Sequence, residues 1–248
     1  MKKITSLAFV VLLLFSSCVS EKNYNKSKNS SKIYGEGPEI TQLLSIESFT
    51  SIDLAGAADV VIQQGDLQEV KVKGQSNIID KIKKNVVNGM WTITLESGSY
   101  NYKNLTFYIT VPSIKEVELS GSGDITINDF NSLNQLGLFI KGAGDIDFHN
   151  LNECKKLEVS IKGSGDVSSK SSSTSIEQLF VDIDGAGDFK ALNTQTDDCT
   201  ISIAGTGDCA VHVKNKLKVH ISGVGDIKYK GQPTIEKKIT GVGELIKN

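Results

Sequence analysis

The tetrapeptide Gly-x-Gly-Asp recurs through the second half of this chain at a nearly constant interval. It stands at Gly121-Ser122-Gly123-Asp124, Gly142-Ala143-Gly144-Asp145, Gly163-Ser164-Gly165-Asp166, Gly185-Ala186-Gly187-Asp188, Gly205-Thr206-Gly207-Asp208 and Gly223-Val224-Gly225-Asp226. A further copy, Gly241-Val242-Gly243-Glu244, ends the series. The first glycines of successive copies are 21, 21, 22, 20, 18 and 18 residues apart. Self-similarity at a fixed period marks a repeat architecture, in which one supersecondary unit is laid against the next.

The residues before each copy alternate apolar and polar, as in Leu157-Glu158-Val159-Ser160-Ile161-Lys162 and Leu217-Lys218-Val219-His220-Ile221-Ser222. A shorter apolar beat such as Ile146-Asp147-Phe148 follows. Period-two alternation is the signature of a strand with one buried face. A unit of strand, glycine corner, strand and loop every 18–22 residues predicts an all-β fold, a parallel β-solenoid in which each rung buries its inner face on the next. The competing arrangement is a β-sandwich or barrel of successive hairpins, for which the period would be accidental.

The corner has its own chemistry. Glycine tolerates positive φ, so two glycines let the chain turn sharply, and the following Asp can accept hydrogen bonds from corner amides. Rungs stack about 4.8 Å apart, so a column of carboxylates repels itself unless each is hydrogen-bonded, offset or bridged by a cation. The nine-residue calcium-binding repeat is absent, and no motif calls for a metal or cofactor.

Residues 35–116 lack the period and read as an N-terminal β-rich part preceding the repeat part, 117–248. Gly56-Ala57-Ala58-Asp59 looks like a degenerate corner, and Gln64-Gly65-Asp66 is a turn. Strands are expected through Val70 and Val72, through Trp91 to Leu95, and from Leu105 to Val111, where Pro112 ends the run. Ser76 is positioned to cap a short helix reaching Ile82.

The first residues form a separate feature. Lys2 and Lys3 precede an apolar run from Ile4 to Phe15, followed by Ser16-Ser17-Cys18. The run is too short to span a bilayer, which needs roughly 20 apolar residues, and reads as a secretory leader over residues 1–17. A cysteine directly after small residues resembles the lipoprotein pattern, with lipid on Cys18. Outer-membrane lipid is then the expected partner through that anchor. Residues 18–34 follow as a Lys-, Asn- and Ser-rich tether, whose sixteen residues after the cysteine reach at most about 50–60 Å when extended.

Charge excludes one class of partner. All 27 basic residues are Lys, and Gly35 to Asn248 carries 21 Lys against 28 acids, a balance of −7. Nucleic acid favours a basic stripe and guanidinium forks, and neither exists here. Cys199 and Cys209 share the inward parity of their strands and read as small core residues, with a disulfide as the alternative. Cys154 reads as an incidental loop thiol. His149, His212 and His220 stand outward or near a loop with no metal-ligand spacing.

With Phe49-x-x-Ile52-x-Leu54, Gly56 to Asp59, Ile62-Gln63-Gln64-Gly65-Asp66, Ile79-x-x-Ile82, Val111-Pro112 and the first full corner in order, the chain resembles the head GIN domain family, DUF2807, over roughly residues 40–240. The resemblance implies a β-solenoid, an envelope location, typically as a Bacteroidota lipoprotein, and adhesion, with lipid binding attached to some relatives. It brings no catalytic residues. Ala58 and Glu244 depart from the corner pattern at the two ends, where capping rungs are atypical.

Enzymatic signals are weak. Asp182, Asp184 and Asp188 are the best acidic cluster for glycoside chemistry, which needs two carboxylates at a controlled separation. Gly205 to Ala210 satisfies a loose dinucleotide fingerprint, but no helix follows, and the corner serines lack a nucleophile elbow. The expectation is a non-enzymatic, lipid-anchored envelope protein presenting a face of Lys, Ser, Thr and Asp to an extended polymer or protein. The alternative is a structural or sensing periplasmic module without a dedicated ligand, which the 6% aromatic content favours, because sugar platforms use exposed rings.

Overall fold

The computed structural model describes residues 32–171 and 174–248. The leader, Cys18 and most of the tether lie outside the described residues. Ile33 and Tyr34, which the sequence reading assigned to the tether, instead form a short parallel strand with Tyr100–Asn101, so the body begins there.

The described chain is a parallel β-solenoid. One long side of the stack contains, among others, the strands Glu116–Leu119, Gln135–Ile140, Cys154–Ile161 and Ser175–Ile183, each paired in parallel with the next. Beyond the glycine corner a second side carries Ile125–Ile127, Ile146–Phe148 and Val167–Ser169. The longer strands Phe189–Ile203 and Cys209–Ile221 contribute to both sides. The register puts like on like. Leu54, Leu119, Ile140, Ile161, Ile183, Ile203 and Ile221 are stacked neighbours just before the corner, and all are buried. Each inward aliphatic thus hides its two faces against its counterparts above and below, and the period-two pattern becomes a continuous core.

The drift in repeat length has a structural cause. The two rungs of 21 residues include a third, short side, made by Phe130–Asn131 and Leu151–Asn152 paired in parallel. Phe130 and Leu151 are buried there, while the Asn131 side-chain oxygen accepts from Asn152 Nδ2 at 2.9 Å. In the 18-residue spacing the third side is gone, and Cys209–Ile221 runs from the second side straight into the first as one strand.

The N-terminal part joins the stack in an order its sequence does not reveal. Ser51–Leu54 pairs on one edge with Glu116–Leu119 and on the other with Met90–Ile93. Asp59–Gln64 likewise lies between Ile125–Ile127 and Thr106–Val111. The rung formed by residues 90–111 therefore caps the outside of the rung formed by 51–64, and the chain then crosses over to begin the repeats on the inner edge. Glu69–Gln75 and Glu39–Leu43 extend the cap as antiparallel strands. Trp91, wholly buried, packs between Phe49 and Phe107 at ring distances of 5.5 and 5.7 Å. The helix expected to reach Ile82 is only Ser76–Ile79, and its N-cap is Gln75 rather than Ser76. Ile78 and Ile79 are drawn into the core, so tertiary burial rather than capping holds this turn.

Candidate functional site

The corners form two ladders, one of backbone and one of carboxylates. A methyl group on any glycine of the seven corners would lie 1.6–2.1 Å from a carbonyl oxygen of the preceding rung. At Gly144 that oxygen belongs to Gly123, and at Gly165 to Gly144. Positive φ is not the general reason for glycine here, because among corner glycines only Gly225 and Gly243 have it. The reason is close approach: successive corners stack backbone on backbone, and any side chain would force the rungs apart. The same geometry explains Ala58. Its outer neighbour is the capping rung, which opens into the loop around Tyr102 instead of making a tight corner.

The carboxylates follow in single file. Asp124 Oδ1 accepts from the Asp145 backbone N–H at 3.0 Å, and Asp145 does the same for Asp166 at 2.8 Å. The pattern continues from Asp166 to Asp188, Asp188 to Asp208, Asp208 to Asp226 and Asp226 to Glu244, each at 2.8 Å. Each column member spends one oxygen on the next rung's amide, which offsets the repulsion along the stack. Lys190 adds a cation, 2.6 Å from Asp166 Oδ2 and 3.1 Å from Asp188 Oδ2. Burial pushes the Asp166 carboxyl up, but Lys190 and the Asp188 amide outweigh it and hold the group below its ordinary range. Among the described residues no cluster of His, Cys, Asp or Glu has the arrangement to hold a metal ion.

The acids nominated for glycoside chemistry are divided between two settings. Asp188 belongs to the corner ladder. Asp182 stands on the outer face of the first side, where burial and then the neighbouring Asp184 charge raise its pKa. Among the described residues, Cys154, Cys199 and Cys209 are free and buried. Cys199 and Cys209 occupy aliphatic positions of the stack, opposite Leu217 and Ile227 respectively. Burial pushes both thiols well above the usual range. Cys154 is not in a loop: it opens the strand Cys154–Ile161 and pairs with Ile176, and burial pushes its thiol to about 11. Such thiols are poor nucleophiles.

The feature that sequence reasoning missed lies on the outer face of the first side. Phe139 and Phe180 both point outward, between buried neighbours, and Phe180 is 38% exposed. Parallel register places Phe139 beside Ser160, and Phe180 beside Glu158 and Thr200. One strand, Cys154–Ile161, lies between them, so the rings stand two strand spacings apart, about 10 Å along the stack, and two residues out of register. Between them lies a furrow of about 420 Å³. Smaller depressions of about 50 and 180 Å³ adjoin it, one sharing Phe139 and Glu158, the other Phe180 and Thr200. Gly137 seats the first ring, because a methyl there would lie 2.5 Å from Phe139 Cε2. Lys156 Nζ sits 5.1 Å from the Phe180 centroid and 2.9 Å from Glu158 Oε2. Lys141 grips both oxygens of Glu118 at 2.8 Å. The signal was available: each phenylalanine occupies an outward place in an alternation, and aligning rungs on their glycines puts both on one face, two rungs apart and two residues out of register.

A parallel β-solenoid with stacked glycine corners, a carboxylate ladder and a long solvent-facing sheet places this chain among the repeat proteins. The chain belongs to the family described as "Putative auto-transporter adhesin, head GIN domain" (DUF2807), whose model matches residues 48–233. A solved "putative adhesin" from Bacteroides fragilis NCTC 9343 is 26% identical, covering 87% of this chain and 100% of its own, with a TM-score of 0.76. Two structures under 25% identical share the fold. One is a "putative lipid binding protein" from Parabacteroides distasonis ATCC 8503, at 21% identity, 86% and 99% coverage and a TM-score of 0.65. The other is a "putative adhesin" from Parabacteroides merdae ATCC 43184, at 20%, 86% and 99%, and 0.60. No curated protein matches. Among the described residues no helix is long and apolar enough to cross a membrane.

Proposed function

We propose that this chain is a non-enzymatic envelope protein, anchored to the outer membrane by lipid on Cys18, whose solenoid presents its outer sheet for adhesion. The observation that carries the reading is the furrowed face itself. Its outward side chains are held in register from rung to rung by a ladder that resists bending, which suits an extended partner. Membership of a family described as adhesins supports it. The leader and tether readings supply a route to the envelope and a reach clear of the bilayer. Lipid binding, named for one relative, finds less support as a role for the interior, because inward positions are filled by buried Leu, Ile, Val and Phe.

Protease shaving of intact cells tests the placement, with a Cys18→Ala control and a periplasmic marker to report leakage. The expected result is loss of the body while the marker survives. Protection until the outer membrane is opened would overturn external adhesion and transfer the weight to a periplasmic structural or sensing role.

A further inference from the structure

We infer that the furrow between Phe139 and Phe180 takes a neutral, hydroxyl-rich oligosaccharide, laid across the rungs with a sugar ring seated between the two phenylalanines. This rests on the reading of the outer sheet as the binding face and names the ligand that face is built for.

Three observations lead to that chemistry. The first is apolar surface in the right form. The carbon-bound hydrogens of a pyranose pack on aromatic faces, and rings are the usual way a wet, shallow site gains affinity. Both phenylalanines stand on an otherwise polar sheet, and Gly137 gives up its side chain so that one of them can lie down. The second is charge. The furrow is lined by Lys141 and Lys162 on one account and by Glu158 and Asp182 on the other, a balance of 2 − 2 = 0. A polyanion would meet two carboxylates and a polycation two ammoniums, so neither sign of polymer is favoured. A neutral ligand with many hydroxyls can donate to the acids and accept from the lysines, and Ser160, Thr200 and Ser202 do both.

The third observation excludes a peptide added to the sheet as a further strand. Peptides that lie on sheets draw much of their affinity from main-chain hydrogen bonds at a free edge. The strands under the furrow, Gln135–Ile140, Cys154–Ile161 and Ser175–Ile183, are paired in parallel on both sides, so their backbone groups are committed. Only side-chain hydroxyls, carboxylates and ammoniums remain to meet a ligand. The depressions flanking the furrow share its phenylalanines and extend the site to further sugar units. They add four lysines against two further carboxylates, 4 − 2 = +2, so neutrality is a property of the central furrow and heparin is the probe that challenges it.

The test uses the full chain with maltohexaose, cellohexaose and chitohexaose as neutral probes and heparin as the polyanion, followed by calorimetric titration and amide NMR. The expected result is binding of at least one neutral hexasaccharide, with shifts concentrated at residues 137–141, 158–162 and 180–182. Phe180→Ala and Gly137→Val should each weaken it on the order of tenfold, as the loss of one ring contact does. Tyr108→Ala, on the other long side, should leave affinity unchanged. Phe180 is partly exposed, so its variant folds even if Gly137→Val does not. Binding of heparin alone, or of neutral sugars undiminished by Phe180→Ala, would overturn the assignment. Retention of cells on a glycoprotein-coated surface separates this inference from the broader one. Retention that survives deglycosylation of the coat but falls in Phe180→Ala sinks the sugar and leaves the binding face. Retention unaffected by either sinks both.

Discussion

Asp166 Oδ1 accepts the backbone N–H of Asp188 at 2.8 Å, while its Oδ2 lies 2.6 Å from Lys190 Nζ. One carboxylate thereby ties two rungs together through an amide and a cation. Truncation exposes the value of the amide link. Asp166→Ala should lower the unfolding free energy by about 1–2 kcal/mol, because the half-buried Asp188 amide loses its acceptor. Asp166→Asn keeps an acceptor oxygen and should cost less than half as much. Urea denaturation monitored by circular dichroism compares them. Equal losses would show that the ladder acts by charge alone.

The same pair sets a pH dependence. The Asp166 carboxyl is held below its ordinary 3.8: burial raises it, and Lys190 with the Asp188 amide more than compensates. A depressed carboxyl contributes stability that is full above the unfolded pKa and is lost as pH falls through the folded one. The loss therefore falls in the acid range, from near 4 downward. Lys190→Ala should move the Asp166 titration upward and bring the acid limb of unfolding to higher pH. Carboxyl carbon NMR across that range reads the titration directly, and an unchanged midpoint would remove Lys190 from the account.

The repeat was legible because one steric requirement recurs at every corner, and only glycine meets it. Its reason was not legible, since a clash with Gly123 of the previous rung is invisible from the residues around Gly144. The period-two pattern identified the inward residues for the same reason: Val159 and Ile161 alternate with polar neighbours whatever lies beyond. The crossover that sets residues 90–111 outside 51–64 escaped the sequence, because that capping rung has no glycine corner and its order in the stack depends on partners distant in the chain. The Phe139 and Phe180 pair escaped because the rings are 41 residues apart in a sequence scanned for motifs rather than for neighbours across rungs.

Glycine positions separate the two explanations of the corner. Gly144→Ala would place a methyl 2.0 Å from the Gly123 carbonyl oxygen, and the stack must open to admit it. The expected cost is at least about 2 kcal/mol, in the range of overpacking a dense interior. At Gly56 the nearest atom is the Ile93 carbonyl oxygen, at 3.6 Å, an ordinary contact. Gly56→Ala should change stability by less than about 0.5 kcal/mol. Similar melting temperatures for the two variants would refute the close-approach account.

The C-terminal edge carries a device against stacking. Lys237 pairs in register with Val219 and Lys247 with Tyr229, so two ammonium groups occupy positions that earlier rungs fill with aliphatic or aromatic side chains. A sheet edge with free amides and carbonyls invites another strand, and an inward-placed charge makes that contact costly, because the ammonium would be buried without a partner. Replacing both, Lys237→Ile with Lys247→Val, restores the apolar pattern of the preceding rung and leaves the edge open for a second copy. Sedimentation velocity should then show stronger concentration-dependent association than the parent chain shows under the same conditions. A double variant that sediments as the parent does would mean that the edge is guarded by something other than these lysines, and exposed Val242 beside the final corner would be the next position to alter.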